Sequence, residues 1–377
     1  MKMKLFKSLS LAAALGLLAS CAKLPENEIR IGEFGSMTGL TSTFGTATHE
    51  GIQLAVDEVN AAGGINGKLV KLVSEDDRGK PEEAATVVEK LITRDHVHAL
   101  LGEVASSNSL AAAPIAQRHK IPMISPSSTN PKVTAQGDYI FRVCFIDPFQ
   151  GKVMAKFASE TLHAKTAAIL RDKSSDYSVG LADVFAREFS GMGGKILIDQ
   201  AYQSKDVDFK SQLTTIRQKK PDVLFVPGYY SEVGLIAKQA RDGGLQAPLL
   251  GGDGWESPEL YAIGGKAIEG SYFSNHCAPD AKIKQVMDFA EKHRAKYKKE
   301  PGALTVLGYD AAGVLFDAIR HAPSLKGPDL RAAIAATKDY QGVSGAISLD
   351  ADRNAVKSAV VLKVHHGRAE FVATVNP

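Results

Sequence analysis

The sequence has few cysteines, a single tryptophan and no long apolar run beyond its first 20 residues. Without a second such run, no later segment is predicted to span a membrane as a helix. Of the three cysteines, Cys21 ends the N-terminal apolar stretch, and Cys144 and Cys277 remain. These two could pair in an oxidising compartment or stay as buried thiols, and the sequence leaves both possibilities open.

The chain also lacks an excess of one charge once its N-terminus is set aside. It contains 45 lysines and arginines against 42 aspartates and glutamates. Lys2, Lys4 and Lys7 account for the difference, so the chain after residue 20 carries 42 charged residues of each sign. It contains no basic patch with interleaved aromatic residues. A nucleic-acid partner is therefore not expected.

Sequence signatures of catalysis and of metal binding are missing as well. The stretch Gly63–Leu69 has the glycines and the lysine of a phosphate-binding loop, but its spacing is too short and Leu69 stands where Ser or Thr is required. No nucleophile elbow follows a predicted strand. The ten histidines form no HExxH pattern, and pairs such as His96 and His98 are typical of exposed polar residues. We expect no enzymatic activity, no cofactor and no metal site.

The first 20 residues have the pattern of a secretory signal peptide. A basic start precedes the apolar run Leu9–Leu18, which is too short to cross a bilayer. The run ends in Leu-Ala-Ser-Cys, which resembles the bacterial lipobox and implies acylation of Cys21; the alternative is an ordinary signal peptide with an incidental cysteine. We expect an exported protein, periplasmic or at the cell surface. It would be anchored to the membrane through lipid alone, with residues 21–28 as a tether.

Short apolar strands alternate with amphipathic helices along the rest of the chain, and the alternation occurs twice. Such a βαβ succession predicts parallel sheets covered by helices on both faces. Gly102 and Gly228 each end a predicted strand, and Pro122 and Pro248 each open a later one, at the same offset of 126 residues. The chain is also longer than one hydrophobic core usually supports. We therefore predict an α/β fold of two similar, doubly wound lobes.

The chain is predicted to cross between the two lobes three times, near residues 145, 275 and 350. Helices after residue 281 would complete lobe one. Two closing strands follow, near Gly345–Leu349 and Ser358–His365, and the final strands would complete lobe two. The predicted boundaries are residues 29–145 and 276–350 for lobe one, and residues 146–275 and 351–377 for lobe two.

Polar side chains follow the predicted strands of both lobes. In open α/β sheets, ligands bind beyond the carboxyl ends of the strands, beside helix N-termini. Hydroxyls and backbone N–H groups at this edge of lobe one suit a carboxylate, whereas an acid and two phenols in lobe two suit an ammonium. An α-amino acid carries both groups and could bridge the cleft. The residues at these positions are Ser106, Ser107, Ser127, Ser128 and Thr129 in lobe one, and Tyr177, Tyr229 and Asp253 in lobe two.

Each of these residues also has a purely structural interpretation. Serines often cap helix N-termini, as Ser106 and Ser107 could, and residues 127–129 could form an ordinary turn. Asp253 lies among glycines, where aspartate is common in turns, and the two tyrosines could be half-exposed loop residues. The functional interpretation depends on all of them meeting at one edge of two matched sheets.

Seven blocks of sequence form a recognisable pattern in their order and spacing. They are Ile31–Gly45, Gly51–Asp77, Gly102–Ser107 and Ile121–Pro131 in lobe one, and Asp176–Ala182, Gly228–Gly234 and Gly251–Gly254 in lobe two. These blocks resemble those of the bacterial periplasmic leucine/isoleucine/valine-binding proteins, and the resemblance covers nearly the whole chain after the signal. It implies the type I periplasmic binding protein fold, in which three crossovers join two lobes.

The resemblance also implies a role for each matching position. Ser106, Ser127 and Thr129 would hold the α-carboxylate of an amino acid and share its ammonium. Asp253 would take the ammonium with help from the two tyrosines, and Phe44 would pack against the ligand's side chain. These positions agree with those chosen from the strand ends.

The sequence departs from the family pattern at three points. The acidic position often holds Glu, and Asp253 is one methylene shorter. Gly79 and Ala105 occupy positions that form a disulfide in some members. Trp255 could fill part of the side-chain pocket or simply pack on its lobe. A filled pocket would favour a ligand smaller than leucine.

These observations predict a solute-binding lipoprotein of an ABC importer that binds a branched-chain or other small apolar amino acid by closing two lobes. Its expected partners are the permease and ATPase subunits of the importer, and we expect a monomer. One alternative keeps the fold but binds an amide, a urea or an aromatic acid, because a fold does not fix its ligand. Another is a ligand-sensing receptor ectodomain, which an output segment beyond the lobes would indicate.

Overall fold

The computed structural model describes residues 27–278 and 282–377. The predicted signal peptide, Cys21 and the tether up to residue 26 lie outside the described residues. Within the described ranges, no helix is long and apolar enough to cross a membrane.

Lobe one is built on a five-stranded sheet with helices on both faces. Its strands are β1 (Glu28–Gly35), β2 (Leu69–Asp76), β3 (Ala99–Leu101), β4 (Met123–Ser125) and β5 (Ile140–Arg142). Its helices are α1 (Ser42–Ala61), α2 (Pro81–Thr93), α3 (Ser106–His119), α9 (Lys284–Tyr297), α10 (Ala303–His321) and α11 (Gly327–Ala335). The strands are parallel in the order β2-β1-β3-β4-β5, with α2 and α3 on one face and α1, α10 and α11 on the other.

Lobe two is built on a seven-stranded sheet. Its strands are β6 (Thr166–Asp172), β7 (Lys195–Tyr202), β8 (Val223–Phe225), β9 (Leu249–Gly251), β10 (Tyr272–Asn275), β13 (Ala359–His365) and β14 (Arg368–Val375). Its helices are α4 (Asp147–Lys156), α5 (Asp176–Gly191), α6 (Lys210–Lys219), α7 (Tyr230–Asp242) and α8 (Pro258–Gly264). In the order β14-β13-β10-β9-β8-β6-β7, the strands from β10 to β7 are parallel, and β13 pairs antiparallel with both β10 and β14. The predicted α/β fold of two doubly wound lobes is confirmed.

The C-terminal strands differ from the prediction. The strand expected near Gly345–Leu349 joins neither large sheet, because β12 (Gly345–Ile347) pairs with β11 (Tyr340–Gly342) in a separate hairpin. Strand β14 was not predicted, since it is an edge strand with no buried residue and a weak apolar pattern. His366 and Gly367 connect it to β13 with φ of 52° and 69°, as a two-residue hairpin turn requires.

Several helices begin earlier than the sequence pattern predicted. Helix α1 begins at Ser42 rather than Thr46, so Phe44 lies in its first turn. Helix α3 begins at Ser106 rather than Asn108, and its N-cap is Ala105. The capping interpretation of the serine that opens α3 is therefore wrong. Early starts bring polar and aromatic side chains onto the helix ends that face the other lobe.

Helices α1 and α10 pack closely because glycines stand at their contact. A Cβ atom on Gly51 would lie 1.9 Å from the carbonyl oxygen of Thr305, and one on Gly308 would lie 2.4 Å from that of Thr48. Both helices cover the same face of the sheet, so neither can withdraw without opening the core. This contact fixes the N-terminal end of α10, whose Leu304 faces the cleft.

We expect Gly51→Ala to destabilise the protein by about 2 kcal/mol or more, because the added methyl group would meet backbone atoms that cannot rotate away. Gly191→Ala is the matched control. Gly191 is exposed in the last turn of α5, with no heavy atom within 4 Å of a new Cβ, and its substitution should change stability by less than about 1 kcal/mol. Urea unfolding followed by circular dichroism measures both. Equal stability of Gly51→Ala and the wild type would contradict the packing described.

Candidate functional site

A small cavity lies between the two lobes, at the edge where strands of both sheets end. The volume open to a water-sized sphere inside it is about 10 Å³, roughly the space of one water molecule and far below the roughly 300 to 1,000 Å³ of pockets for drug-sized ligands. Six residues predicted from the sequence line it, together with three that were not predicted. The six are Phe44, Ser127, Thr129, Tyr177, Tyr229 and Asp253, and the other three are Val104, Gly254 and Leu304.

Helix starts and strand ends bring these side chains together. Phe44 and Tyr177 lie in the first turns of α1 and α5, and Tyr229 directly precedes α7. The loop after β4 supplies the two hydroxyls, and a 3₁₀ turn after β9, Asp253–Trp255, supplies the carboxylate. The carboxyl ends of parallel strands share one edge of a sheet, so each lobe presents its loops to the other.

The lobe one side of the cavity combines hydroxyls with the amide end of a helix. Helix α3 begins here, and the N–H groups of its first two residues, Ser106 and Ser107, have no partner within the helix. Ser106 is buried, and its Oγ accepts a hydrogen bond from the amide of Asn130 at 3.3 Å. It thereby joins α3 to the loop that carries Ser127 and Thr129. The positive end of the helix favours a bound anion at this place.

A buried arginine supports this loop from behind. Arg142 is fully buried, and its Nη2 donates to the carbonyl of Asn130 at 2.8 Å while its Nη1 donates to the carbonyl of Ser128. Ser128, a predicted site residue, turns its hydroxyl into lobe one, where it lies 2.8 Å from the carbonyl oxygen of Glu103 and 3.0 Å from that of Val104. In the structure Ser128 therefore shapes the loop and does not line the cavity.

The lobe two side presents the carboxylate of Asp253, which is only 6% exposed. Gln150 Nε2 donates to its Oδ1 at 3.0 Å, and His276 Nε2 lies 3.0 Å from its Oδ2. The nine residues that line the cavity include no lysine or arginine. The carboxylate is thus hydrogen-bonded but meets no permanent cation inside the cavity.

Two tyrosines form the wall beside this carboxylate. The rings of Tyr177 and Tyr229 stack with their centroids 5.3 Å apart and 5° between their planes. Tyr177 Oη accepts a hydrogen bond from the amide of Gly254 at 3.1 Å, which fixes the phenol against the 3₁₀ turn. Burial and the negative charge of Asp253 hold the pKa of Tyr177 well above its usual range, so the phenol keeps its proton and can donate it.

Gln150 and His276 were not predicted from the sequence. Gln150 lies inside helix α4, away from any strand end, and no pattern singles it out. His276 directly follows β10, at the second predicted crossing. Strand β10 was not predicted from the sequence, so a search of the predicted strand ends does not find His276.

Trp255, another predicted site residue, belongs to the interior of lobe two. It is fully buried, its Nε1 donates to the carbonyl of Val226 at 3.0 Å, and its ring centroid lies 5.9 Å from that of Phe273. The sequence left open whether Trp255 fills part of the side-chain pocket or packs on its lobe. In the structure it packs within lobe two. It is not among the residues that line the described cavity.

Direct contacts across the cleft hold the lobes closed. Ser107 Oγ donates to Asp176 Oδ2 at 2.9 Å, and Asn130 Nδ2 donates to the carbonyl of Asp176 at 2.7 Å. Thr43 Oγ1 donates to Ser257 Oγ at 3.0 Å. Ser107, which was predicted to touch the ligand, is thus a contact between the lobes outside the small cavity.

The two remaining cysteines, Cys144 and Cys277, are free thiols. Burial raises the pKa of each thiol to about 12, so both favour the protonated form at neutral pH. The sequence left open whether these two cysteines pair or stay as thiols. In this structure they are unpaired thiols.

Two buried carboxyl groups lie beneath the start of α3. The hydroxyl of Ser36 is 2.7 Å from Glu103 Oε1 and 3.3 Å from Asp77 Oδ1. Burial and the neighbouring Glu103 raise the pKa of Asp77 to about 8, and burial raises the pKa of Glu103. Glu103 also accepts a hydrogen bond from the amide of Ala105, the N-cap of α3. Both shifts favour a protonated carboxyl group close to the proposed anion-binding helix end.

Two α/β lobes that close on a polar cavity define a solute-binding protein of the periplasmic type. The model of the family described as "Periplasmic binding protein" matches residues 28–369, and the chain belongs to this family. Membership of a family of binding proteins confirms the predicted fold class and the prediction of a binding protein rather than an enzyme.

Three relatives show how far this similarity extends. The Leu/Ile/Val-binding protein BraC3 of Rhizobium johnstonii is 32% identical over 90% of this chain and 91% of its own. The leucine binding protein LivK from Thermotoga maritima is 42% identical, with a TM-score of 0.89 over 93% of this chain and 99% of that one. The branched-chain amino acid transporter substrate binding protein LivJ from Streptococcus pneumoniae, solved with isoleucine, is 36% identical, with a TM-score of 0.88 over 93% of this chain and 100% of that one.

Asp77→Asn should make the folded state less sensitive to alkaline pH. Because the folded pKa of Asp77 is raised above an unfolded value of about 4, this group contributes stability that is fully present below about pH 4 and is lost as the pH rises through about 8. An amide in its place does not titrate. Melting temperatures between about pH 5 and about pH 9 should therefore decline less for the variant than for the wild type.

Asp138→Asn is the control for this series. Its carboxyl group is exposed and its pKa is lowered, chiefly by the hydrogen bond from Gln117, so its substitution should leave the decline at alkaline pH unchanged. If Asp77→Asn and the wild type lost stability in parallel, the pKa of Asp77 would not be raised in the folded state.

Proposed function

We propose that this protein is the solute-binding component of an ABC importer and that it captures a branched-chain or other small apolar α-amino acid by closing its two lobes. The observation that carries the proposal is the carboxylate of Asp253, buried in the cavity opposite the hydroxyls of lobe one. Burying an unpaired charge is unfavourable, so a closed cleft of this kind favours a ligand that brings a cation.

The ammonium of the ligand would bind on the lobe two side. Asp253 supplies the charge, and Tyr177 lies beside it, where its phenol oxygen is fixed by the amide of Gly254. Gln150 and His276 hold the two carboxylate oxygens by hydrogen bonds. A charge-assisted hydrogen bond in this water-poor cavity is stronger than its counterpart in bulk water.

The α-carboxylate of the ligand would bind on the lobe one side. Ser127 and Thr129 offer hydroxyls, and the first turn of α3 offers N–H groups and the positive end of its dipole. Ser106 takes part by joining the helix to the loop. No charged side chain of lobe one lines the cavity, so this side favours the anionic end of the ligand without neutralising it fully.

The remaining walls of the cavity would receive the side chain. Phe44, Val104 and Leu304 are apolar and buried. These walls favour an aliphatic group over a polar or a large aromatic one. The names of the three relatives, which specify leucine, isoleucine, valine or branched-chain amino acids, point to the same class.

Capture would proceed by closure of lobe one (residues 29–145 and 276–350) onto lobe two (residues 146–275 and 351–377). The lobes would swing about the three crossings, and a ligand that touches both would select the closed state. We further propose that the protein is exported, acts as a monomer, is anchored through lipid at Cys21 and delivers its ligand to permease and ATPase subunits.

A thermal-shift screen of the ligand-stripped protein, produced without its signal peptide, tests the ligand class. Leucine, isoleucine, valine and alanine should be compared with acetamide, urea and benzoate at matched concentrations. A ligand that binds only the folded state raises the melting temperature. We expect shifts with α-amino acids alone. A shift with an amide or with benzoate, and none with any amino acid, would overturn the ammonium role of Asp253.

Asp253→Asn should weaken the binding of branched-chain amino acids by about tenfold or more, because the amide keeps the shape of the side chain but removes the charge that pairs with the ammonium. Titration calorimetry measures the dissociation constant. Glu259→Gln, an exposed acid in the nearby helix α8, is the control and should leave affinity unchanged. An unaltered dissociation constant in Asp253→Asn would remove the carboxylate from the site.

A further inference from the structure

His276 occupies a position between the two halves of the cavity. It is 3% exposed, and its Nε2 lies 3.0 Å from Asp253 Oδ2 and 3.4 Å from Ser127 Oγ. It follows β10, where the chain leaves the sheet of lobe two for lobe one. One ring nitrogen therefore contacts both the carboxylate and a hydroxyl of the cavity.

The hydrogen bonds of His276 favour a neutral ring in the closed state. Nδ1 is buried and has no hydrogen-bond partner among the described residues. A neutral ring with its proton on Nε2 donates to Asp253 and leaves only an acceptor unpaired, whereas an imidazolium would bury an unpaired N–H donor. Burial lowers the pKa of His276, against the hydrogen bond and charge of Asp253, which raise it.

Among the described residues, no other group near His276 accepts a hydrogen bond from its Nδ1. The ring stacks on Phe145 with centroids 3.9 Å apart. The charge of Lys357, on the third crossing, lowers the pKa of His276 further. Asp147 is a second acid nearby, and Gln150 joins it to Asp253 by donating to both carboxylates. Asp253 is thus the anion in direct contact with the imidazole.

We propose that a proton on His276 and the ammonium of the ligand compete for Asp253, so that capture of an amino acid expels a proton from His276. This inference rests on the proposed function. A protonated ring 3.0 Å from the carboxylate would compensate its charge and repel a second cation. A neutral ring leaves the full negative charge to the ammonium and still fixes the carboxylate through one hydrogen bond.

The sign of the pH dependence follows from this competition. In the ligand-free, open protein His276 is hydrated and keeps a pKa nearer its usual value, with Asp253 available to stabilise the charged ring. In the complex the ammonium disfavours that charge, so the complex holds fewer protons than the free protein. Affinity must then fall as the pH falls through the pKa of His276 in the free protein.

The test is titration calorimetry with isoleucine from about pH 7.5 down to about pH 5. The wild type should lose affinity by about tenfold or more over this range, and calorimetry near pH 6 in two buffers of different ionisation enthalpy should show protons released on binding. His276→Gln places a neutral amide donor near the same position, so it should bind isoleucine with a nearly pH-independent dissociation constant and release fewer protons.

Two control variants separate His276 from other titrating groups. Burial and the charge of Asp253 raise the pKa of Asp147 to about 7, so Asp147→Asn must retain the pH dependence if His276 is its source. His293→Gln replaces a buried histidine of lobe one that contacts Glu50, far from the cavity lining, and should behave as the wild type does. Melting temperatures confirm that each variant is folded.

The outcomes distinguish this inference from the function on which it rests. A wild type that binds no amino acid at about pH 7.5 would overturn the proposed function together with the inference. Tight binding without pH dependence or proton release would overturn the inference alone, and this result needs no variant. If the dissociation constant still depends on pH in His276→Gln but no longer does so in Asp147→Asn, the released proton belongs to Asp147 instead.

Discussion

The carboxylate of Asp253 is the constraint on which the rest of the site depends. It is buried where the lobes meet, and the residues around it, Gln150 and the neutral form of His276, can hydrogen-bond to it without neutralising it. Hydrogen bonds compensate part of the loss of hydration, but a buried charge without a counter-charge stays unfavourable by several kcal/mol. The buried charge of Asp253 therefore disfavours closure of the empty lobes, whereas a bound cation removes this penalty.

The opposite side of the cavity depends on preorganisation rather than on charge. Arg142 fixes the carbonyls of Ser128 and Asn130, and those bonds hold the loop so that its hydroxyls and the amides of α3 meet at one place. A carboxylate that arrives finds donors already oriented, so little conformational entropy is lost when it binds. The two sides thus have opposite polarity, which matches a zwitterion in one orientation only.

Much of this arrangement follows from the sequence, and the exceptions have a common cause. The βαβ pattern located the strand ends, and with them Asp253, Ser127 and Thr129, because parallel strands deliver their loops to one edge. Pattern says little about which way a loop side chain points, so the inward turn of Ser128 was not foreseen. His276 was missed because it follows a strand at a crossing, where contacts between distant parts of the chain, rather than local periodicity, decide its surroundings.

Contacts between the lobes favour the closed state, and the buried charge of Asp253 opposes it. Hydrogen bonds at Ser107, Asn130 and Thr43 join the lobes, each contributing about 1 to 2 kcal/mol. Packing of Phe44 against Tyr229 and Tyr230 joins the lobes as well. A ligand without an ammonium would leave the charge of Asp253 unpaired, and one without a carboxylate would leave the amides of α3 unpaired. Selectivity for an amino acid therefore arises from the same unpaired polar groups that disfavour closure of the empty lobes.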